Sequence, residues 1–233
     1  AGRVRLKVDF ARDSMAKSIL HAASDTNADI MFCGAYGTKP HTTGIIGSMA
    51  ATFVAYTRMP LYLIKDPTRK PPHQKILVAF LDPALDAQLL AWAVSFALFY
   101  PESDIEIVTP IPDYSRCDPY QDFQGFAPNE RQVKAATESI TQRAKQAVQS
   151  LGVPFVYEPH ALKMSFKQHA PVKPAPTAIL ATAEEIGADL IVVPCSQPYL
   201  DCDNPLRGIA RTVTEYANQN VLVIPSAFLK SAR

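Results

Sequence analysis

The chain has 233 residues, enough for one large domain or two of ordinary size with a core that needs no covalent staples. Its 23 lysine and arginine residues nearly balance 22 aspartate and glutamate residues, so the net charge argues against a nucleic-acid partner. The four cysteines lack the spacing of a metal site, and no apolar run reaches the roughly 20 residues of a membrane span. We therefore expect a soluble, cytoplasmic protein with reduced thiols.

A repeat at an offset of 160 residues organises the chain. Each copy has the pattern of helix, strand, loop, helix and strand, and its strands are the short apolar runs typical of a buried parallel sheet. This alternation predicts an α/β fold, an open doubly wound parallel sheet with helices on both faces. The matched positions include Ile19 with Ile179, Asp29 with Asp189, Thr52 with Thr212, Tyr56 with Tyr216, and Leu63 with Val223.

The chain starts with Ala1 rather than Met, and its first segment already has the pattern of a strand that leads into a helix, so we expect a piece of a longer protein. The predicted elements are a strand over residues 4–10, a helix over 14–24, a strand over 29–33, a helix over 50–56 and a strand over 61–65. Residues 66–72 are rich in proline and charge, which predicts a linker.

The second copy is longer. We predict a strand over 75–80, a helix that follows Asp86, a strand over 105–108, a helix over 130–151 and a strand over 153–157, before the repeated elements at 177–186, 189–193, 209–216 and 221–225. Residues 110–129, rich in proline and aromatic residues, are either a surface insertion or a segment that contacts a partner or covers a pocket. The second copy thus has five strands, and the first has only the third, fourth and fifth.

A glycine loop follows the strand at 29–33. Gly34 and Gly37 allow positive φ and close approach, so that successive amides can converge on an anion. After nine intervening residues, Gly47 and Ser48 open a helix, whose free amides and a hydroxyl would face the same oxyanion. The spacing therefore predicts a phosphate cradle; the alternative is a tight turn between strand and helix.

This spacing after a strand resembles the ATP-binding signature of universal stress proteins, and the repeated Ala-Asp opening of the strand at Asp29 and Asp189 is similar to theirs. The resemblance implies a sheet of order 3-2-1-4-5 in each unit, with ATP or AMP at the carboxyl ends of the strands and Mg²⁺ as an optional companion of ATP. The phosphate-binding residues that it implies are Gly34, Ala35, Gly37, Gly47, Ser48 and Met49.

The second copy departs from that signature. Its matching positions are Pro194, Gln197, Arg207 and Gly208, so two glycines are lost and one amide donor with them. The family places an acidic residue at the end of strand one against the adenosine, whereas here Leu81 stands there and Asp82 follows it. We expect a degenerate second site at these residues.

The resemblance also implies the domain organisation. Residues 1–66 would be the C-terminal half of one unit that lacks strands one and two, residues 67–74 a linker, and residues 75–233 a complete unit with the insertion at 110–129. An upstream segment of about 70 residues or another chain would complete the first unit. The last strands, at 61–64 and 221–224, would pair at an intrachain pseudo-dimer interface.

Three functions are compatible with these features. The first is a non-enzymatic nucleotide-binding stress-response or regulatory protein. The second is a structural subunit of a larger assembly that keeps the fold without the ligand, and the third is a slow ATPase, for which no catalytic base is evident. Residues 163–167 faintly resemble a mobile loop of class I aminoacyl-tRNA synthetases, but the companion His-Ile-Gly-His element is absent.

Overall fold

The computed structural model describes residues 14–37, 46–65, 75–81, 85–98, 103–110, 164–169, 175–195 and 205–226, together with Phe228 and six isolated residues between 135 and 149. The helices are α1 (Met15–Asp25), α2 (Ser48–Tyr56), α3 (Asp86–Leu98), α4 (Ala175–Ile186) and α5 (Pro205–Tyr216). The strands are β1 (Met31–Gly34), β2 (Leu61–Ile64), β3 (Lys75–Ala79), β4 (Asp104–Pro110), β5 (Met164–His169), β6 (Leu190–Cys195) and β7 (Asn220–Pro225).

The seven strands form one open sheet in the order β1-β2-β7-β6-β3-β4-β5. Neighbouring strands run parallel except β2 and β7, which are antiparallel, so the sheet is mixed rather than wholly parallel. Helices α1, α2, α4 and α5 contribute to the core on one face, and α3 contributes to the core on the other. The predicted open α/β sheet with helices on both faces is therefore confirmed.

One strand of the second copy lies elsewhere than predicted. The neighbour of β4 is β5, Met164–His169, whereas the segment predicted as that strand, 153–157, lies outside the described residues. β5 includes most of the segment that resembles a synthetase loop, and it lies at the edge of the sheet. Residues 4–10, the linker and most of the insertion also lie outside the described residues, and the six residues described between 135 and 149 are helical.

The two segments that match in sequence at an offset of 160 residues, called the first and second copy, also share local geometry. The residues after α1 and α4 are left-handed at equivalent positions, with φ 49° at Asn27 and 65° at Gly187, which ends each helix in the same way. The parallel registers also correspond at the offset of 160 residues. The pair Met31–Leu61 in the first copy corresponds to Ile191–Val221 in the second. In the same way, Cys33–Leu63 corresponds to Val193–Val223.

Apolar side chains on β1 and α1 are exposed in the first copy, whereas their equivalents in the second copy are buried. Phe32 of β1 is 59% exposed, whereas its equivalent, Val192, is completely buried. Ile19 of α1 is 38% exposed, whereas its equivalent, Ile179, is also completely buried. In the second copy, β3 pairs with β6, and α4 packs over β3 and β4. Among the described residues β1 pairs only with β2, so apolar side chains stay exposed near this edge.

Candidate functional site

The predicted phosphate loop begins where β1 ends, at Gly34, and leads to the first turn of α2. The amide of Ala35 donates to the carbonyl oxygen of Ile64 at 2.9 Å, which fixes the start of the loop to β2. The amide of Gly47 donates to the carbonyl oxygen of Ala35 at 2.8 Å, which brings the start of α2 back to the strand. Because protein acceptors use both amides, Ala35 and Gly47 close the loop in this structure. Their contact with phosphate stays a prediction.

The amide of Gly37 lies beside the first turn of α2. A Cβ added to Gly47 would lie 3.5 Å from the Gly37 nitrogen, so the two backbone segments approach closely. Gly37, Ser48 and Met49 are exposed, and within the described ranges no backbone acceptor takes up the Gly37 amide. The first amides of a helix have no acceptor in their own helix, and the first turn of α2 carries no acidic residue. The amides of these three residues and the Ser48 hydroxyl are therefore available to donate hydrogen bonds to an oxyanion.

The loop glycines do not adopt the left-handed conformation that the sequence suggested for Gly34 and Gly37. In the described part of the chain, positive φ occurs only at Asn27 and Gly187, and Gly47 has φ −62°. A missing side chain matters at Gly47 instead, because a Cβ there would occupy space beside the Gly37 amide. No described atom lies within 4 Å of a Cβ placed on Gly37.

A buried lysine next to the loop was not found by sequence reasoning. Lys65 directly follows β2 and is 6% exposed. Its Nζ donates to the carbonyl oxygens of Glu215 at 3.1 Å and Ala217 at 2.7 Å, at the end of α5, and its amide donates to Asn220 Oδ1 at 2.9 Å. Nζ also lies 5.5 Å from the centroid of the Tyr36 ring. Burial lowers the pKa of Lys65 to about 8, although the Glu215 carboxylate acts to raise it.

The sequence contained one signal for Lys65. A lysine ends an otherwise apolar strand at a position where the other copy has Pro225. A charge in that place either reaches solvent or finds partners inside the protein. The partners here are main-chain carbonyls 150 and 152 residues away in sequence, which no local pattern indicates.

The second loop differs from the first at the positions that the structure describes. Pro194 lies within β6, paired with Ile224, and has no amide hydrogen to donate. Gly208 lies inside α5, because this helix begins at Pro205, so its amide is not at the first helical position as that of Ser48 is. Gln197 and Asp82 lie outside the described residues, and of Arg207 only the backbone, in the first turn of α5, is described.

Neither metal ligands nor thiols form a second site in the described residues. No group of three histidine, cysteine, aspartate or glutamate residues there could hold a metal ion. Cys33 is partly buried, which raises the pKa of its thiol, and the buried Cys195 thiol lies 3.9 Å from the Val54 carbonyl oxygen. Of the helices that the structure describes, none is both long and apolar enough to cross a membrane.

Two solved structures with TM-scores above 0.5 share this fold. A putative universal stress protein from Pseudomonas aeruginosa UCBPP-PA14 has 16% identity and a TM-score of 0.59, with 95% of this chain and 72% of that chain covered. A universal stress protein from Archaeoglobus fulgidus DSM 4304 has 16% identity and a TM-score of 0.59, with 90% and 66% covered. A universal stress protein from Archaeoglobus fulgidus in complex with dAMP has 18% identity and a TM-score of 0.43, with 65% and 98% covered.

No curated protein matches the chain. The model of the universal stress protein family matches residues 72–225, which is well over half of the chain and includes β3 to β7. The sheet of these strands, the helices on its two faces and the family match agree with one another. The chain therefore belongs to the universal stress protein family.

Proposed function

We propose that this protein binds the phosphates of ATP or AMP at the loop between β1 and α2, without turnover, and acts as a stress-response or regulatory protein. The observation that carries this function is the position of the exposed Gly37 amide beside the open first turn of α2. The donors are the amides of Gly37, Ser48 and Met49 and the Ser48 hydroxyl, whereas Gly34, Ala35 and Gly47 shape the loop. Mg²⁺ would arrive with ATP through the phosphates, because the described residues hold no ligand cluster for it.

The geometry of the loop is the basis of this proposal. Two of the predicted amides are used within the protein, so fewer protein donors remain than the sequence suggested. Three amides and a hydroxyl still suffice to contact the oxygens of one phosphate group.

The test is calorimetry of the full chain with ATP and with AMP, each with and without Mg²⁺. Gly37→Pro removes the amide donor, whereas Gly37→Ala keeps it and places a methyl group where no described atom lies within 4 Å. We expect Gly37→Pro to weaken binding at least tenfold and Gly37→Ala to leave it nearly unchanged. Equal affinities for wild type and both variants would show that the loop is not the site.

We infer that the chain is a tandem of two such units. Numbered within the second copy, the strands β5-β4-β3-β6-β7 have the order 3-2-1-4-5, and the family match at 72–225 lies in that copy. The shared registers and left-handed residues support the same origin for the segment that contains β1 and β2. Residues 1–66 would then belong to the first unit, 67–74 to the linker and 75–233 to the second unit.

A structural role in a larger assembly is the second candidate function. It is favoured by the exposure of Phe32 and Ile19, whose equivalents in the second copy are completely buried. Phe32 lies against the Tyr62 ring, with 5.3 Å between centroids, so it is held in place rather than free in solvent. An upstream segment or another chain, supplying strands one and two of the first unit, would cover these side chains.

The assembly role is tested by sedimentation velocity of wild type and Phe32→Ser in the presence and absence of ATP. We expect the wild type to associate and Phe32→Ser to remain monomeric, because the substitution removes exposed apolar area. Monomeric wild type at all concentrations, together with tight ATP binding, would leave only the regulatory role. Phosphate release above background that requires Ser48 would instead support the slow ATPase.

A further inference from the structure

Lys65 connects the two copies at the phosphate loop. It belongs to the first copy, but the carbonyl oxygens that accept from its Nζ belong to Glu215 and Ala217 of the second. These carbonyls lie at the C-terminal end of α5, where a helix carries partial negative charge. On its other side, Nζ faces the ring of Tyr36, which stands directly before Gly37 in the loop. Contacts therefore run without interruption from α5 to the residue that offers the loop amide.

We propose that Lys65 is a positioning residue that holds Tyr36, and with it the Gly37 amide, against the end of α5, so that anion binding in the first copy depends on packing between the copies. The effect on binding rests on the proposed function, whereas the holding of Tyr36 needs no ligand. A cation over an aromatic face changes an equilibrium by about 2- to 30-fold. The second copy has Pro225 in place of Lys65, so the coupling acts on one loop only.

The charge on Lys65 responds to pH in an accessible range. Burial lowers the pKa of its amine to about 8, with the Glu215 carboxylate of α5 opposing that shift. Glu215 is itself paired with Arg211 at 2.8 Å, and the side chain that faces Lys65 from β7, Asn220, is uncharged. Burial raises the pKa of Tyr36, so its phenol stays neutral near pH 8. The attraction between Lys65 and Tyr36 should therefore weaken as the pH rises through 8.

The ligand-free test is NMR of the full chain with ¹³C-labelled tyrosine rings. The chain has nine tyrosines, and the signal that disappears in Tyr36→Phe is that of Tyr36. We expect the Tyr36 signal to shift with a midpoint near pH 8 in the wild type and to lose this titration in Lys65→Met. Lys75→Met is the control, because Lys75 Nζ also donates to a carbonyl at a helix end, that of Ile186 at 2.8 Å, but is exposed. A wild-type Tyr36 signal that does not titrate overturns the inference, and this result needs no variant at position 65 to fold.

The ligand-dependent test is a double-mutant cycle with ATP. We expect Lys65→Met and Tyr36→Leu each to weaken ATP binding by about 2- to 30-fold, and the double variant to weaken it no more than either single variant does. Additive losses overturn the inference. Wild type that binds no ATP refutes the proposed function, and the Tyr36 titration then decides the role of Lys65 on its own.

Discussion

Substitution of Gly47 by alanine should block the phosphate loop without unfolding it. The new methyl carbon would lie 3.5 Å from the Gly37 nitrogen and 3.6 Å from the Ala35 carbonyl oxygen, which are ordinary contact distances, so the fold need not move. A phosphate oxygen must come within about 3 Å of an amide nitrogen, and the methyl group occupies space beside that nitrogen. Loss of one hydrogen bond to a charged group costs about 1.5–3 kcal/mol, which corresponds to a Kd roughly 10- to 100-fold higher.

The assay is calorimetry with ATP alongside urea denaturation. Gly47 has φ −62° and ψ 154°, which alanine also adopts. The lower entropy of the unfolded alanine chain offsets the weaker N-cap that alanine makes, so the free energy of unfolding should change by less than about 0.5 kcal/mol. Gly208→Ala is the matched control in the second copy; it lies inside α5, where alanine stabilises a helix by about 0.5–1 kcal/mol, and it should leave ATP affinity unchanged. Unchanged affinity in a stable Gly47→Ala variant would refute the reasoning.

Two further predictions concern stability. The free energy of unfolding should rise by roughly 3 kcal/mol at most between about pH 8 and 10.5, because the unfolded lysine binds a proton in this range and buried Lys65 does not. In urea titrations Lys65→Met should lack this part of the rise. Identical pH dependence in wild type and variant would contradict the prediction. Gly187→Ala should lower the free energy of unfolding by about 1 kcal/mol, because φ is 65° at this residue. Asn27→Gly, at the equivalent site with φ 49°, should change it by less than about 0.5 kcal/mol. Equal losses for both variants in urea titrations would count against the left-handed geometry.

Most elements could be predicted from the sequence because their apolar residues recur at the period of a helix or a buried strand. β2 was expected at 61–65 and occupies Leu61–Ile64, and α1 was expected at 14–24 and occupies Met15–Asp25. β5 could not be found in this way. Met164 and Phe166 alternate with polar residues as suits an edge strand, a pattern much weaker than the continuous apolar run of β6.

The position of the candidate loop could also be predicted, but its donors could not. The glycine spacing indicates where a strand meets a helix, and the structure places the Gly37 amide beside Gly47, the residue that precedes α2, at that point. Which amides remain open depends on acceptors supplied by folding, such as the Ile64 carbonyl that takes the Ala35 amide. Lys65 is the stronger example, because its acceptors come from the other end of the chain.

The antiparallel pairing of β2 with β7 has a consequence for synthesis on the ribosome. Leu61 and Leu63 pair with Val223 and Val221, so the strand that protects this edge of β2 is made about 160 residues later. At translation rates of about 5–20 residues per second, this delay is roughly 10–30 s. During that interval an apolar strand edge has no native partner, which is the condition under which nascent chains associate wrongly. A chaperone that binds nascent chains would therefore meet an unpaired apolar strand edge in the first half of this protein.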